Sequence, residues 1–153
     1  MSGKLVYTVG HSNRGFSEFT ELLASYSVSV VVDVRRFPTS RKFPQFKLEY
    51  LKTNLPKHSI GYVWLGDKLG GFRAGGYLNY MRSREFSEGM KELLKVIELV
   101  RKGYVAIMCV EKLWFRCHRR FIADLLVNLG YEVMHIIDAG KVAKHRLRAV
   151  SRK

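Results

Sequence analysis

Two cysteines, a glutamate, a histidine and three arginines fall within the short stretch "CVEKLWFRCHRR", residues 109–120. Three kinds of chemistry use such a set. A metal would draw on Cys109, Glu111, Cys117 and His118, with His11 and Asp33 from elsewhere, but structural zinc sites call for cysteines about two to four residues apart. Seven residues lie between Cys109 and Cys117, and neighbours such as Cys117 and His118 at a helix start diverge by about 100° around its axis. The spacing points away from a metal, and the residues identify no cofactor.

A nucleophilic cysteine is the second chemistry. Cys109 ends an apolar run and is followed by a loop and an arginine that opens a helix, the layout in which cysteine phosphatases and sulfurtransferases hold an anion on loop amides and a helix dipole. Against this, the six residues between Cys109 and Arg116 include no glycine and make the loop one residue longer than a phosphatase loop. Glu111 also opposes a phosphate dianion, and a cysteine ending an apolar strand serves equally as a small core residue. The third chemistry is anion binding, for which Arg116, Arg119 and Arg120 sit where a helix start leaves backbone N–H groups free.

The elements that must position these residues are legible as five apolar, β-branched runs: 5–10, 28–34, 60–66, 104–110 and 131–137. Their lack of polar alternation predicts strands covered on both faces. Between them lie helical patterns. The first opens at Ser17 with Phe19, Leu22 and Leu23 on one face, and the second spans about 47–55 before Pro56. The third runs from near Ser87 through Met90, Leu93 and Ile97 to Gly103, and the last from near Cys117 through Ile122 and Leu126 to Gly130. Alternating strands and helices predict an α/β fold, a single-domain Rossmann-like three-layer sandwich on a mainly parallel sheet of about five strands, here assigned the order 3-2-1-4-5.

In such a sheet, ligands sit beyond the carboxyl ends of the strands. Those ends carry His11, Ser12, Asn13 and Arg14 after the first strand, and Asp33, Arg35, Arg36, Arg41 and Lys42 around the second. "GDKLGG" follows the third, where glycines would let backbone approach a ligand, and the opening stretch follows the fourth. The connections at the other end are short and chemically plain. Catalytic candidates are therefore His11, Asp33, Cys109, Glu111 and His118; anion-binding candidates are Ser12, Asn13, Arg14, Arg35, Arg41, Cys117 and Arg119.

Net charge supports an anionic partner. With 27 Lys and Arg against 13 Asp and Glu, the chain of 153 residues carries +14, a field that attracts nucleic acid or a phosphorylated small molecule. Residues 1–138 read as one domain and 139–153 as a basic tail, in which Lys141, Lys144, Arg146 and Arg148 would contact phosphates. No apolar run approaches the roughly 20 residues of a membrane span. Two cysteines make no secreted disulfide framework, so a cytoplasmic protein is expected.

Several separated stretches together carry a family resemblance: "YTVGHSNRGFSEF", "VVDVRRFPTSRKFPQF", the "LGG" at 69–71, "YMRSREF" and "MCVEKLWFRCHRRFIADLL". Over Tyr7 to about Ile137 the chain resembles the family known as domain of unknown function 488. The matching positions are Gly10 to Arg14, Asp33, Arg35, Pro38, Ser40, Arg41, Pro44, Phe46, Cys109, Glu111, Cys117, His118 and Arg119. The resemblance implies a small intracellular α/β protein and brings no assigned activity. Three readings stand at this point: an enzyme acting on a phosphorylated or nucleic-acid substrate, a non-catalytic nucleic-acid binding module, and a phosphatase-like or sulfurtransferase-like cysteine enzyme.

Overall fold

A computed structural model describes residues 4–39 and 41–147. Ser40 and Arg148, both named above, lie outside the described residues. The fold is α/β, built on a six-stranded, mostly parallel sheet. Five strands coincide closely with the apolar runs: β1 (Leu5–Gly10), β2 (Val28–Asp33), β3 (Gly61–Trp64), β4 (Tyr104–Cys109) and β5 (Glu132–Asp138). A sixth, β6 (Lys141–Lys144), pairs antiparallel with β5, so the stretch read as a tail begins with an edge strand. The order is β3-β2-β4-β1-β5-β6. This corrects the expected order: β4 inserts between β2 and β1, and the β1-to-β2 connection therefore crosses over a strand.

The helices take their registers from their apolar spacing. In α1 (Phe16–Ser25), Phe19, Leu22 and Leu23 are buried, and the cap is Gly15 rather than Ser17, its N–H donating to Glu18. Short helices α2 (Leu48–Asn54), α3 (Gly66–Leu69) and α4 (Tyr77–Tyr80) follow. In α5 (Arg84–Leu99), Phe86, Met90, Leu93 and Ile97 form the buried stripe, and the Ser83 hydroxyl accepts the Phe86 N–H at the start. α6 (Arg119–Asn128) buries Ile122, Ala123 and Leu126, together with Arg119; Leu129 lies beyond the helix and is exposed.

Alternate strand residues enter two separate clusters. Val32, Val105, Ile107 and Val133 pack with α5 and α6, whereas Val31, Ala106, Met108 and Ile136 pack with Phe19, Leu23 and Leu51 of α1 and α2. Strand residues alternate between faces, so both faces of the sheet are covered and only its ends are open for chemistry. β2 leads toward β3 on one side and β4 toward β5 on the other, which makes the crevice between their carboxyl ends the point where the winding reverses. No helix among the described residues is long and apolar enough to cross a membrane.

Candidate functional site

The crevice is a cleft of about 480 Å³. Its walls are the segment after β2 (Arg35, Arg36, Phe37), the glycine-bearing turn at Gly71 and Phe72, and the loop and helix start after β4, from Cys109 to Phe121. Close backbone packing builds it. The His11 N–H donates to the Cys109 carbonyl at 2.9 Å and the Ser12 N–H to the Val110 carbonyl at 2.8 Å, so β1 and β4 stay paired past their ends. A Cβ on Gly10 would lie 1.7 Å from the Glu111 carbonyl oxygen, and one on Gly66 would lie 1.7 Å from that of Arg35. Gly66 and Gly70 of "GDKLGG" thus admit the protein's own backbone, whereas Gly71 lies against the His118 ring on the cleft wall. Gly10→Ala should force the 110–112 loop away and cost about 1–3 kcal/mol or more; a urea midpoint unchanged from wild type would refute this packing.

Three of the arginines expected to hold an anion are internal. Arg14 donates through Nε to the Gly10 carbonyl, through Nη1 to Asp138 at 3.1 Å and through Nη2 to the Ile137 carbonyl at 2.7 Å. Arg35 grips Asp33 with its backbone N–H, Nε and Nη2 at 2.7–3.0 Å, and the Tyr62 hydroxyl adds a further bond to Asp33 at 2.5 Å. Arg119 is 0% exposed. It donates to Thr8 Oγ1 at 3.1 Å and to the Glu111 and Lys112 carbonyls at 2.7 and 3.1 Å, and so suspends the loop that carries Glu111.

His11 belongs to the same interior. Its Nδ1–H donates to the Ser12 carbonyl at 2.8 Å, which leaves Nε2 to accept from Arg35 Nη1 at 3.2 Å. Both ring nitrogens are occupied, Phe46 stacks on the ring at 4.3 Å, and burial, followed by the Arg35 charge, pushes its pKa down to about 4. A second buried chain runs from Arg119 through Thr8 and His135 to His145 and Asp124, at 2.6–3.1 Å. Arginine can only donate and carboxylate can only accept, so with one proton on each imidazole every bond points toward Asp124. Trp114 stacks on His135 at 4.4 Å.

What faces the cleft is a different set. Cys117 Sγ lies 2.7 Å from Cys109 Sγ and accepts the Arg119 backbone N–H at 3.3 Å. The Cys109 thiol, then the nearby Arg119 charge, holds the Cys117 thiol down at about 7, while burial pushes that of Cys109 well up. His118 donates Nε2–H to the Val34 carbonyl at 3.0 Å, leaving Nδ1 as an acceptor beside Gly71, and burial lowers its pKa. Among the described residues nothing bonds the Glu111 carboxylate. Arg36, Arg116 and Arg120 bring the cationic groups, and Phe37 and Phe72, 63% and 85% exposed with rings 6.2 Å apart, flank the mouth.

Of the residues singled out from the sequence, Cys109, Glu111, Cys117, His118 and Arg35 meet at this cleft. Ser12 and Asn13 line an adjoining groove across the 110–111 ridge, and exposed Arg41 lines a separate one beside Trp64. Lys141 and Lys144 lie on β6, three strands from β4, with exposed Arg146 just beyond. Sequence reasoning did not assign Tyr62, Thr8, Tyr77 or Phe72. Only the i, i+2 spacing of Asp33 and Arg35 signalled one of these buried networks. No three His, Cys, Asp or Glu side chains among the described residues form a metal-holding group.

No curated protein and no solved structure matches the chain. A family model does: the one described as Domain of unknown function DUF488 matches residues 15–126, a span from the start of α1 into α6 that includes both cysteines and the whole cleft, and the chain belongs to that family.

Proposed function

We propose that the β2–β4 cleft is an anion-binding active site and that the protein is a cysteine-dependent, phosphatase-like or sulfurtransferase-like enzyme acting on a phosphorylated or nucleic-acid substrate. The observation that carries this reading is Cys117: a thiol whose pKa is lowered by the Cys109 thiol and Arg119, opening into a cleft whose accessible positive charges are Arg36, Arg116 and Arg120. A thiolate is the competent nucleophile, and the Cys109 thiol and the Arg119 N–H beside Cys117 Sγ both favour it there. Cys109, the residue its strand-end position first suggested, is instead the buried proton-bearing neighbour. His118 Nδ1 and the Glu111 carboxylate are the proton acceptors on the cleft wall, and three arginines outweigh the single carboxylate for an anion.

A Rossmann-like three-layer arrangement fits this use, because its ligands gather at the winding reversal. Cytoplasmic conditions, which keep thiols reduced, suit the nucleophile. The non-catalytic reading, nucleic-acid binding, is favoured by a different observation: net charge +14 with exposed Lys141, Lys144 and Arg146 along the sheet edge.

One experiment separates the two. Iodoacetamide alkylation of Cys117 is timed with pyrophosphate, a nucleoside monophosphate, an uncharged nucleoside or a single-stranded oligonucleotide present. Protection by the phosphorylated ligands but not the nucleoside, lost in Arg116→Ala, is the expected result. Salt-sensitive oligonucleotide binding that leaves alkylation unchanged would support the binding module, and no effect of any anion on the thiol would remove the active-site reading.

A further inference from the structure

We infer that Cys109 and Cys117 are a redox couple that cycles between dithiol and disulfide by thiol–disulfide exchange, with Cys117 attacking and Cys109 resolving. The inference shares one premise with the proposed function, that Cys117 is the reactive thiol of the cleft, and adds both a second activity and a control on the first.

The geometry is that of an asymmetric pair. Cys109 is the last residue of β4, 2% exposed and paired with Gly10 of β1, on a strand flanked by β1 and β2. Cys117 precedes α6, is half-buried, and lines the cleft. Their sulfurs lie 2.7 Å apart, and a covalent bond of about 2.05 Å is reached by a movement of less than about 1 Å. The two positions are not equally free to move. Cys109 sits in the central strands, whereas Cys117 ends a loop with a 3₁₀ turn at Trp114–Arg116. The Arg119 N–H aimed at Cys117 Sγ is a fixed donor for a thiolate, a task it has no need to perform for a buried apolar cysteine.

The reaction balances with a low-molecular-weight disulfide as oxidant. The Cys117 thiolate attacks one sulfur of glutathione disulfide, forming the Cys117–glutathione bond and expelling one glutathione thiolate, which takes up a proton. Cys109 then loses its proton and attacks the Cys117 sulfur, forming the Cys109–Cys117 bond and expelling the second glutathione, which leaves as the thiol. The protein loses two electrons and two protons, and glutathione disulfide gains them. A reducing dithiol reverses both steps. In the disulfide form Cys117 is no longer a nucleophile, and the 110–116 loop is tied to β4, so the cleft chemistry is switched off while oxidant is present.

The test treats the full-length reduced protein with glutathione disulfide, quenches with acid, alkylates the remaining thiols and reads the intact mass. Wild type is expected to reach a species without glutathione and without free thiols, restored by dithiothreitol. Cys109→Ser should stop at a stable glutathione adduct on Cys117, and Cys117→Ser should react at least tenfold more slowly. A wild-type end point with glutathione retained on Cys117 and Cys109 still alkylatable would overturn the resolving role. Faster reaction of Cys117→Ser than of Cys109→Ser would overturn the order of attack. The first outcome leaves the anion-protection experiment untouched, the second removes the shared premise that Cys117 is the reactive thiol, and loss of anion protection leaves the mass readout unchanged, so failures of the resolving role, of the premise and of the anion site are told apart.

Discussion

Asp33→Ala is expected to destabilise the protein by about 3–5 kcal/mol, the range for removing one partner of a buried ion pair. Such a loss is a large part of the roughly 5–15 kcal/mol that holds a domain folded. Asp33 is 0% exposed and Arg35 5%; three nitrogens of the arginine and the Tyr62 hydroxyl converge on the carboxylate. Removing it leaves a guanidinium and a phenol buried without their acceptor, and the burden spreads. Arg35 also donates to His11, its carbonyl accepts from Trp64 at 2.8 Å, and Val34 beside it holds His118. The same pair predicts strong coupling. Asp33→Ala combined with Arg35→Met should be less damaging than Asp33→Ala alone, since no unpaired charge remains. Urea unfolding of the cycle decides it. A single-mutant cost below about 1 kcal/mol would mean that water reaches Asp33 and that the network is not a buried one.

This network also shows which features could be read from the chain. Five strands and the long helices follow from runs of apolar residues, a local property. Strand order does not, because inserting β4 between β2 and β1 depends on which crossover skips a strand, and no residue records that choice. The direction in which an arginine points is equally non-local. Arg119 and Arg120 are neighbours, yet one is sealed against Thr8 and two loop carbonyls while the other lines the cleft, as the roughly 100° step around a helix allows. Asp33 and Arg35, two apart on an extended chain, were the exception, since that spacing puts both on one side. Residue types drew attention to the strand ends, and the cleft opens at those of β2 and β4; which cysteine and which arginines line it, and which are buried behind it, only the tertiary packing decides. Residues 141–144 are read by charge alone, and a strand of four residues, KVAK, is too short to show an alternating pattern.

Acid should unfold the protein in a window that belongs to histidines. His11 and His135 are each 0% exposed, with pKa values pushed down to about 4 and about 2, chiefly by burial, then by the charges of Arg35 and Arg119 respectively. In the unfolded chain both titrate near 6.5. Between that value and the folded one, the unfolded state binds more protons, so stability rises with pH. It is therefore fully present above about 6.5 and drains as pH falls toward 4. For His11 the difference is about 2.5 units at about 1.4 kcal/mol each, or about 3 kcal/mol lost by pH 4, and His135 adds a loss of the same sign over the same range. Asp33 beside His11 partly offsets the effect of Arg35 and Arg14, whereas His145 beside His135 adds to that of Arg119. Carboxylates held low by partners, Asp138 by Lys112 and Arg14 and Glu98 by Tyr131, titrate lower and do not fill this window. Calorimetric melting at intervals from pH 7 to pH 4 should show a midpoint that falls steeply below about 6.5, with proton uptake on unfolding at pH 5 approaching two from His11 and His135, to which His118, also lowered by burial, adds. In His11→Asn, whose amide nitrogen overlays Nδ1 and can still donate to the Ser12 carbonyl, uptake should drop by about one proton and the slope should flatten. A midpoint that stays level down to pH 4.5 would show that both imidazoles exchange protons freely with solvent, and the buried chains from Tyr62 to His11 and from Arg119 to Asp124 would then have to be open to water.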